Sequence, residues 1–574
     1  MKFDGQAELV YQLPKLERKA SSNVPLTPDN LERWLSDLPI LNIKQLSYQL
    51  PKYIQELNRI KVSDKHRFNM LEQLRPTVAY IYDALIKRFR GANLSLSSES
   101  QEIQWLLNVV ISEMAIGYQR LLFNLAKKDS TWLSRKKYTL LAQRAAYYLG
   151  ERICLSYLLS TVVPDRVWLE LNATYSYAQK SNLNTINIKD KFAYFGSKSG
   201  SIDCIYKRIL LLTLVSPYSL RSAELEQIYY GLLPWLNCIK LIHVTKQLTN
   251  VYVLDFKQDY GPEHQGTIFE GGDKYSIECT ELVNKLNTWL DSGDAPASVN
   301  HKGMSKKLLT EITSRLGGIK KRVDERFYGR AGQVDVVVGL QDIDVFLGHV
   351  KSLVDEANDL PIIDDYYDVS IVSEQEELTD EWGELSSFLP ETTLEDKQEV
   401  VPVVESAHHG IRQHVFDIEN ESKRGACLSC NYINGSGLYL GELMFMRGFD
   451  PEIWTLGIIR WMLVQNKKLK IGLYLFSAQV EQVVVSHNSS AGDIDINALL
   501  LGESEHGDTV LLPSAEFKVG DELQLDHRGN KADIILGDVV WQSEGFAQFC
   551  LIAQEVELEE LEPDDDFLIP AWAK

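Results

Sequence analysis

The stretch Val415-Phe-Asp-Ile-Glu-Asn-Glu-Ser-Lys-Arg-Gly425 decides how the second half of this chain folds. Its first four residues are mostly apolar, with β-branched and aromatic side chains, which predicts a strand. Asn420 and Ser422 follow two residues apart, so in extended backbone their side chains point to the same face. Such small polar groups can read the edge of a purine or bond the backbone of a turn. Gly425 permits a positive φ or the close approach of a ligand. A simple polar turn before the next strand is the alternative interpretation.

A basic segment precedes this stretch in the chain. Residues 320–330 read Lys-Lys-Arg-Val-Asp-Glu-Arg-Phe-Tyr-Gly-Arg, which places Arg322, Arg326 and Arg330 at four-residue intervals. The apolar run Val334–Val338 comes directly after them and predicts a strand. A planar guanidinium donates two parallel hydrogen bonds to phosphate and stacks on a flat base. Two such arginines can therefore hold one nucleotide; the alternative is a basic surface face that offsets acidic residues further along.

Together the two segments resemble the split motif of the PilZ family. That family carries Arg-x-x-x-Arg before its first barrel strand and Asp/Asn-x-Ser-x-x-Gly on the following strands. Arg326-Phe-Tyr-Gly-Arg330 matches the first part, and Asn420-Glu-Ser-Lys-Arg-Gly425 matches the second. Further on, Trp454–Trp461 and Ile471–Leu475 are similar to the later strands of such a barrel.

The resemblance implies a six-stranded β-barrel that binds cyclic-di-GMP. By position in the motif, its site consists of Arg326, Arg330, Asn420, Ser422 and Gly425. The two arginines would hold the phosphates and stack on guanine. The asparagine and serine would hydrogen-bond guanine, and the glycine would permit the approach.

Two features depart from the family pattern. Arg322 and Arg326 form a second Arg-x-x-x-Arg frame, so Arg322 is also a candidate ligand residue and both frames stay open. In addition, Arg330 and Asn420 are 90 residues apart, which predicts a long insertion at about 350–410. Residues 355–400 hold 16 Asp and Glu and one basic residue, so we expect this insertion to be solvated and largely disordered. The negative charge of the insertion either gates the basic site or indicates that the site no longer binds the ligand.

The patterning of apolar residues predicts a multidomain protein. Apolar side chains recur at helical spacing before residue 245, most clearly over 101–124. Weaker helical stripes cover 67–90, 136–163, 205–216 and 222–245. We therefore predict an all-α N-terminal domain followed by a PilZ-like six-stranded β-barrel with a long acidic insertion and a small C-terminal β domain. The predicted boundaries are a helical scaffold or partner domain at 1–245, a connecting α+β segment at 246–318, the barrel with its insertion at 319–486 (strand Val480–Val485 included), the C-terminal β domain at 487–556 and an acidic tail at 557–574.

Net charge, apolar runs and cysteine content limit the classes of protein to which this chain can belong. The 574 residues carry a net charge of −21, which argues against broad binding to nucleic acid or anionic lipid. Residues Met1–Gly5 lack the apolar run of a signal peptide, and no stretch of about 18 uncharged apolar residues predicts a membrane span. Seven sparse cysteines fit reduced thiols. We therefore expect a cytoplasmic protein.

Signatures of catalysis and of metal binding are weak. The sequence contains no Gly-x-Ser-x-Gly elbow, kinase motif set or phosphate-binding loop. Cys427-Leu-Ser-Cys430 lacks the second ligand pair of a zinc site, and His408-His409 resembles an exposed pair. We expect no enzyme and no metal or other cofactor besides the ligand cyclic-di-GMP.

Two functions stay open at this point, and a third, less favoured one is an enzyme whose site is hidden in residues 30–300. In the first, the chain is a cyclic-di-GMP receptor that transmits to an unidentified protein partner on its helical half. In the second, it is a non-binding PilZ relative that acts as a scaffold, with the acidic insertion as a tether. Copurification of a nucleotide would separate the two.

Overall fold

The computed structural model describes most of the chain. The described residues are 9–17, 25–39, 42–87, 98–127, 135–190, 199–268, 272–292, 304–317, 332–348, 404–405, 412–431, 438–447, 454–476, 479–489, 492–504, 507–514 and 517–553. They form two compact units. The first comprises Met1–Arg330, Glu419–Leu440 and Ile459–Tyr474; the second comprises Ala331–Ile418, Gly441–Ile458 and Leu475–Lys574.

Helices dominate the N-terminal half, as the apolar stripes predict. The eight helices are α1 (Pro28–Ser36), α2 (Ile43–Arg59), α3 (Asp64–Ile86), α4 (Ser98–Ala126), α5 (Arg135–Leu158), α6 (Val167–Lys180), α7 (Ile202–Leu214) and α8 (Ser222–Gly231). Ile103, Leu107, Met114 and Tyr118 of α4 are all buried, so the stripe over 101–124 lies in the core. The helical stripe over 222–245 is only partly correct, because α8 ends at Gly231 and the chain then turns into a strand.

Helix α4 is also long and apolar enough to cross a membrane by length and composition. However, 72% of its apolar window is buried inside the fold. Core helices of this kind pass the same test, so the finding does not show a membrane span.

A small sheet and two helices follow the helical half. Strands β1 (Ile188–Lys189) and β2 (Ser199–Gly200) form a separate two-stranded ribbon. The next four strands pair in the order β3-β6-β4-β5. Their bounds, and those of the helices after them, are β3 (Lys240–His243), β4 (Leu248–Asp255), β5 (Glu263–Ile268), β6 (Lys274–Glu278), α9 (Thr280–Ser292) and α10 (Lys306–Gly317). Leu282, Leu286 and Ile312 join these helices to the same apolar core as α2–α8.

The next strands form a closed barrel of six strands, as the resemblance implied. The pairing order is β10-β13-β12-β11-β7-β9-β8, and β10 also pairs with β9, which closes the ring around six strands. The bounds are β7 (Gln333–Val338), β8 (Val404–Glu405), β9 (Arg412–Ser422), β10 (Gly425–Asn431), β11 (Leu443–Arg447), β12 (Trp454–Gln465) and β13 (Lys468–Leu475). A helix, α11, covers 340–348, and most of the predicted acidic insertion lies outside the described residues.

A second closed barrel of six strands ends the described chain, with the order β14-β15-β16-β19-β18-β17. Its strands are β14 (Gln479–Ser489), β15 (Gly492–Ser504), β16 (Gly507–Leu512), β17 (Glu522–His527), β18 (Asn530–Gln542) and β19 (Ala547–Ala553). Val485, Val510 and Phe549 are among its core residues. The sequence analysis assigned Val480–Val485 to the PilZ-like barrel, which is wrong, because β14 pairs with β15 and β17.

A buried ion cluster joins three segments of the helical half. Asp190 follows β1 and accepts hydrogen bonds on one carboxylate oxygen from Arg75 of α3 at 2.7 Å and Arg144 of α5 at 2.5 Å. All three side chains are at most 5% exposed. Glu72 lies 3.2 Å from the Nε of Arg144, so two carboxylates face two guanidinium groups.

Asp190→Ala should lower the free energy of unfolding by about 3–5 kcal/mol, because it removes the carboxylate that two buried guanidinium groups share. Asp83→Ala is the matched control, since Asp83 forms an exposed pair with Lys87 at 2.8 Å. That substitution should cost about 0–1 kcal/mol. Denaturant unfolding followed by far-ultraviolet circular dichroism measures both. Equal, small losses in the two variants would contradict the role of the buried cluster.

Candidate functional site

The polar half of the split motif lies on a tight hairpin. Strand β9 ends at Ser422, Lys423 and Arg424 form the turn, and β10 begins at Gly425. Asn420 and Ser422 are half-buried on β9, so their polar groups stay within reach of a ligand. The structure thus brings together three of the six predicted site residues on one short segment.

Gly425 is required here because another backbone approaches closely. A Cβ atom at this position would lie 3.0 Å from the carbonyl oxygen of Leu473 and 3.4 Å from the Oγ of Ser422. Gly425 does not have a positive φ, so close approach and not backbone conformation explains the glycine. The Ser422 hydroxyl donates to the Gly425 carbonyl at 3.2 Å, which ties the two motif residues together across the turn.

The basic half of the motif lies outside the described residues. Arg322, Arg326 and Arg330 fall within 318–331, between the end of α10 and the start of β7. Their role, and the choice between the two Arg-x-x-x-Arg frames, stays a prediction.

The backbone on either side of this basic segment is described, and it leads to the hairpin. Strand β7 pairs antiparallel with β9, with Gln333 opposite Asp417. One residue beyond this pair, the Ile418 N–H donates to the Gly332 carbonyl at 2.9 Å. Gly332 follows Arg330 by two residues, and Ile418 precedes Asn420 by two residues. The described backbone thus pairs at Gly332 and Ile418, two residues from Arg330 and from Asn420 respectively.

Cross-strand neighbours surround the hairpin with further polar groups. The Ser429 hydroxyl donates to Glu419 at 2.8 Å, and the Lys470 ammonium lies 3.6 Å from the same carboxylate. The hydroxyl first, and then Lys470, hold the pKa of the Glu419 carboxyl below its usual value. A fixed anion thus lies one residue from Asn420.

Strand β13 supplies neighbours that sequence reasoning did not assign to the site. Tyr474 lies directly opposite Gly425 in the β10–β13 register. Burial lowers the pKa of Arg460, which interacts electrostatically with Glu311 and Tyr474. The only signal for these residues is strand register, because Tyr474 is 49 positions from Gly425 in the sequence.

The strands behind the hairpin are bonded to the helical half. The Val464 N–H of β12 donates to the Ser160 carbonyl at 2.7 Å, and the Val162 N–H donates to the Val464 carbonyl at 3.4 Å. Thr161 and Val464 thereby form a parallel bridge between the loop after α5 and the barrel. This contact, the 160–464 bridge, lies inside a single compact unit.

Metal ligands are not gathered in the part of the chain that the structure describes. No group of three or more His, Cys, Asp or Glu side chains suits a metal ion there. Cys427 and Cys430 are buried free thiols on β10. His408 and His409 lie outside the described residues.

Comparison with known proteins supports the PilZ resemblance. Residues 29–246 match the family model of the cyclic-di-GMP receptor FimW, N-terminal domain, and residues 251–481 match that of its middle PilZ domain. The chain is also similar to the cyclic-di-GMP receptor FimW of Pseudomonas aeruginosa, with 22% identity over 94% of this chain and 93% of that protein. No solved structure matches the chain. The middle model includes the β9–β10 hairpin and all six strands of the first barrel.

Gly425→Ala should destabilise the protein by about 1–3 kcal/mol, because a methyl group would lie 3.0 Å from the backbone carbonyl of Leu473 and would force a small shift of the strands. Gly266→Ala on β5 is the matched control, since a Cβ atom there meets nothing within 4 Å. The control should change stability by about 0.5 kcal/mol or less. Denaturant unfolding of both variants checks this, and an undisturbed Gly425→Ala protein would refute the close approach.

Proposed function

Because this chain belongs to the family of PilZ-domain cyclic-di-GMP receptors, we propose that it binds cyclic-di-GMP and transmits the level of this second messenger to a protein partner. The chain's role is binding and regulation, with cyclic-di-GMP as its ligand and no catalysis. Its partner docks on the helical half. The cellular outputs that suit such a receptor are motility, surface attachment or exopolysaccharide production, and the site of action is the cytoplasm.

The observation that carries this proposal is the register of β7 against β9. The hydrogen bond between Ile418 and Gly332 fixes the chain two residues from Asn420 and two residues from Arg330. Two residues of chain span at most about 7 Å. Covalent reach therefore limits how far Arg330 can lie from the Asn-x-Ser-x-x-Gly hairpin, although 90 residues separate the two parts of the motif.

Each part of the motif suits one part of the nucleotide. The guanidinium groups of Arg326 and Arg330 pair with phosphate and stack on guanine, and Arg322 replaces Arg330 if the first frame is used. Asn420 and Ser422 offer donors and acceptors to the guanine edge. At Gly425, the missing side chain leaves the turn open to the ligand.

Transmission requires that the ligand favour one conformation over another. A ligand shifts such an equilibrium only by its differential affinity for the two states. Nucleotide bound between the arginine segment and the hairpin would order the connection from α10 to β7. The 160–464 bridge then offers a direct backbone route from the barrel to the helical half.

Substituting both Arg326 and Arg330 by Ala should weaken cyclic-di-GMP binding about tenfold or more, because charge-assisted bonds to phosphate are lost. Arg528→Ala is the matched control, since it removes a 66% exposed arginine from the second barrel. Calorimetric titration of the purified variants measures the affinities. If the double variant keeps full affinity, the assignment of the site is wrong.

Saturating cyclic-di-GMP should slow amide hydrogen exchange at Val162 and Val464 about tenfold, because ordering of the barrel stabilises the bridge in which both N–H groups donate. Val485 and Leu525 in the core of the second barrel are the internal reference and should not change. Exchange measured by mass spectrometry with and without nucleotide tests this. Unchanged exchange at the bridge despite bound nucleotide would exclude this route while leaving the receptor function intact.

A further inference from the structure

A compact Cys–Lys–Glu cluster lies between the segment that precedes β3 and helix α9. The Cys238 thiol ends the short 3₁₀ helix Leu233–Cys238, and Lys285 and Glu281 lie one turn apart on α9. The Lys285 ammonium donates to the Cys238 sulfur at 2.9 Å, and the thiol donates to a Glu281 oxygen at 3.3 Å. Lys285 and Glu281 are themselves 3.3 Å apart, so the three groups form a closed triangle.

The cluster lies beside two packed tryptophans, and two of its three side chains are partly exposed to solvent. Trp235 and Trp289 pack edge to face, with ring centroids 6.0 Å apart, and hold the 3₁₀ helix against α9. Cys238 is only 3% exposed, whereas the side chains of Lys285 and Glu281 are 43% and 48% exposed. The buried sulfur therefore contacts two side chains that are themselves half-exposed to solvent.

We propose that Cys238 and Lys285 form an oxidant-driven covalent modification site in which peroxide links the sulfur to the lysine nitrogen. The inference does not depend on nucleotide binding. It rests on the short sulfur–nitrogen distance and on the carboxylate placed to take the thiol proton. Cysteine reactivity requires the thiolate, which a neighbouring lysine stabilises.

The reaction balances in two steps with hydrogen peroxide as the only co-reactant. First, Glu281 accepts the thiol proton and the thiolate attacks peroxide, so that a sulfur–oxygen bond forms and the peroxide bond breaks. The departing hydroxide takes the proton back from Glu281 and leaves as water. Cys238 is thereby oxidised by two electrons to a sulfenic acid, the first rung of cysteine oxidation. Second, the Lys285 ammonium gives a proton to the Glu281 carboxylate, which passes it to solvent, and the neutral amine attacks the sulfur; the sulfur–nitrogen bond forms and the sulfur–oxygen bond breaks. The hydroxyl leaves with an amine proton as water, which gives a sulfenamide.

Oxidation of Cys238 favours the second step, in which the Lys285 amine attacks the sulfur. The hydrogen bond to Cys238 first, and that to Glu281 second, raise the pKa of Lys285 in the reduced protein. Oxidation to a sulfenic acid places an oxygen on the sulfur and disturbs the hydrogen bond that makes the first contribution. The amine therefore loses its proton more readily once the sulfur is oxidised.

Cys279 provides an internal contrast in the same region. It is also buried, at 8% exposure, but its acidic neighbour is Glu278 and burial raises its pKa to about 12. The two thiols are thus both buried, but their charged neighbours differ. Of these two thiols, Cys238 is the one that contacts both a lysine donor and a carboxylate acceptor.

The test exposes the full-length protein to hydrogen peroxide and maps its peptides by mass spectrometry. We expect a linked pair of peptides that contains Cys238 and Lys285, two hydrogen masses lighter than the two reduced peptides together. Dithiothreitol should release it, because thiols cleave the sulfur–nitrogen bond. Cys279 should stay reduced under the same exposure.

Three lysine variants separate the two steps, and all change solvent-facing side chains that are not part of the core. Lys285→Gln should remove the link and oxidise Cys238 about tenfold more slowly, because the cation that stabilises the thiolate is lost. Lys285→Arg should oxidise at the original rate but form no link, because a guanidinium stays protonated. Lys240→Gln is the matched control, since Lys240 contacts the same Glu281 at 3.6 Å.

Two results would overturn the proposal. One is a Cys238 thiol that stays reduced while the half-exposed Cys550 is oxidised. The other is oxidation of Cys238 at equal rates in all three lysine variants, with no linked peptide in the unmodified sequence.

Discussion

The antiparallel pairing of β7 with β9 is the constraint on which the candidate site depends. It joins two strands on either side of a long acidic segment and closes the barrel next to the Asn-x-Ser-x-x-Gly hairpin. The entropy cost of closing a loop grows only by about 0.6 kcal/mol for each doubling of its length. A long acidic connection can therefore be inserted between neighbouring strands while their register is kept.

The first compact unit contains both the hairpin of the candidate site and the helical half. The hairpin, its β13 neighbours and the 160–464 bridge all belong to one compact unit with the helical half. Backbone hydrogen bonds join the barrel strand β12 to the loop after α5. The Cys238 cluster lies on the segment that connects the helical half to the barrel. It would add a redox input to the nucleotide input.

Much of this architecture could be predicted from local sequence patterns, and the failures have a common cause. The apolar stripe of α4, the strand at Val334–Val338 and the hairpin at Gly425 depend on residues close together in the chain, and the family resemblance is confirmed. Strand Val480–Val485 was assigned to the wrong barrel, because alternation within a strand does not specify its partner. Tyr474 beside Gly425 and Lys285 beside Cys238 were missed because only tertiary structure brings them together.

Calorimetric titration of nucleotide-free protein with cyclic-di-GMP, with GTP and cyclic-di-AMP as controls, tests the central claim most directly. A receptor should give saturable heat that is selective for cyclic-di-GMP, with a Kd of about 1 μM or tighter, equivalent to about −8 kcal/mol. Absence of heat, or equal heat with all three nucleotides, would contradict the receptor function. It would favour a scaffold that keeps the PilZ fold without its ligand.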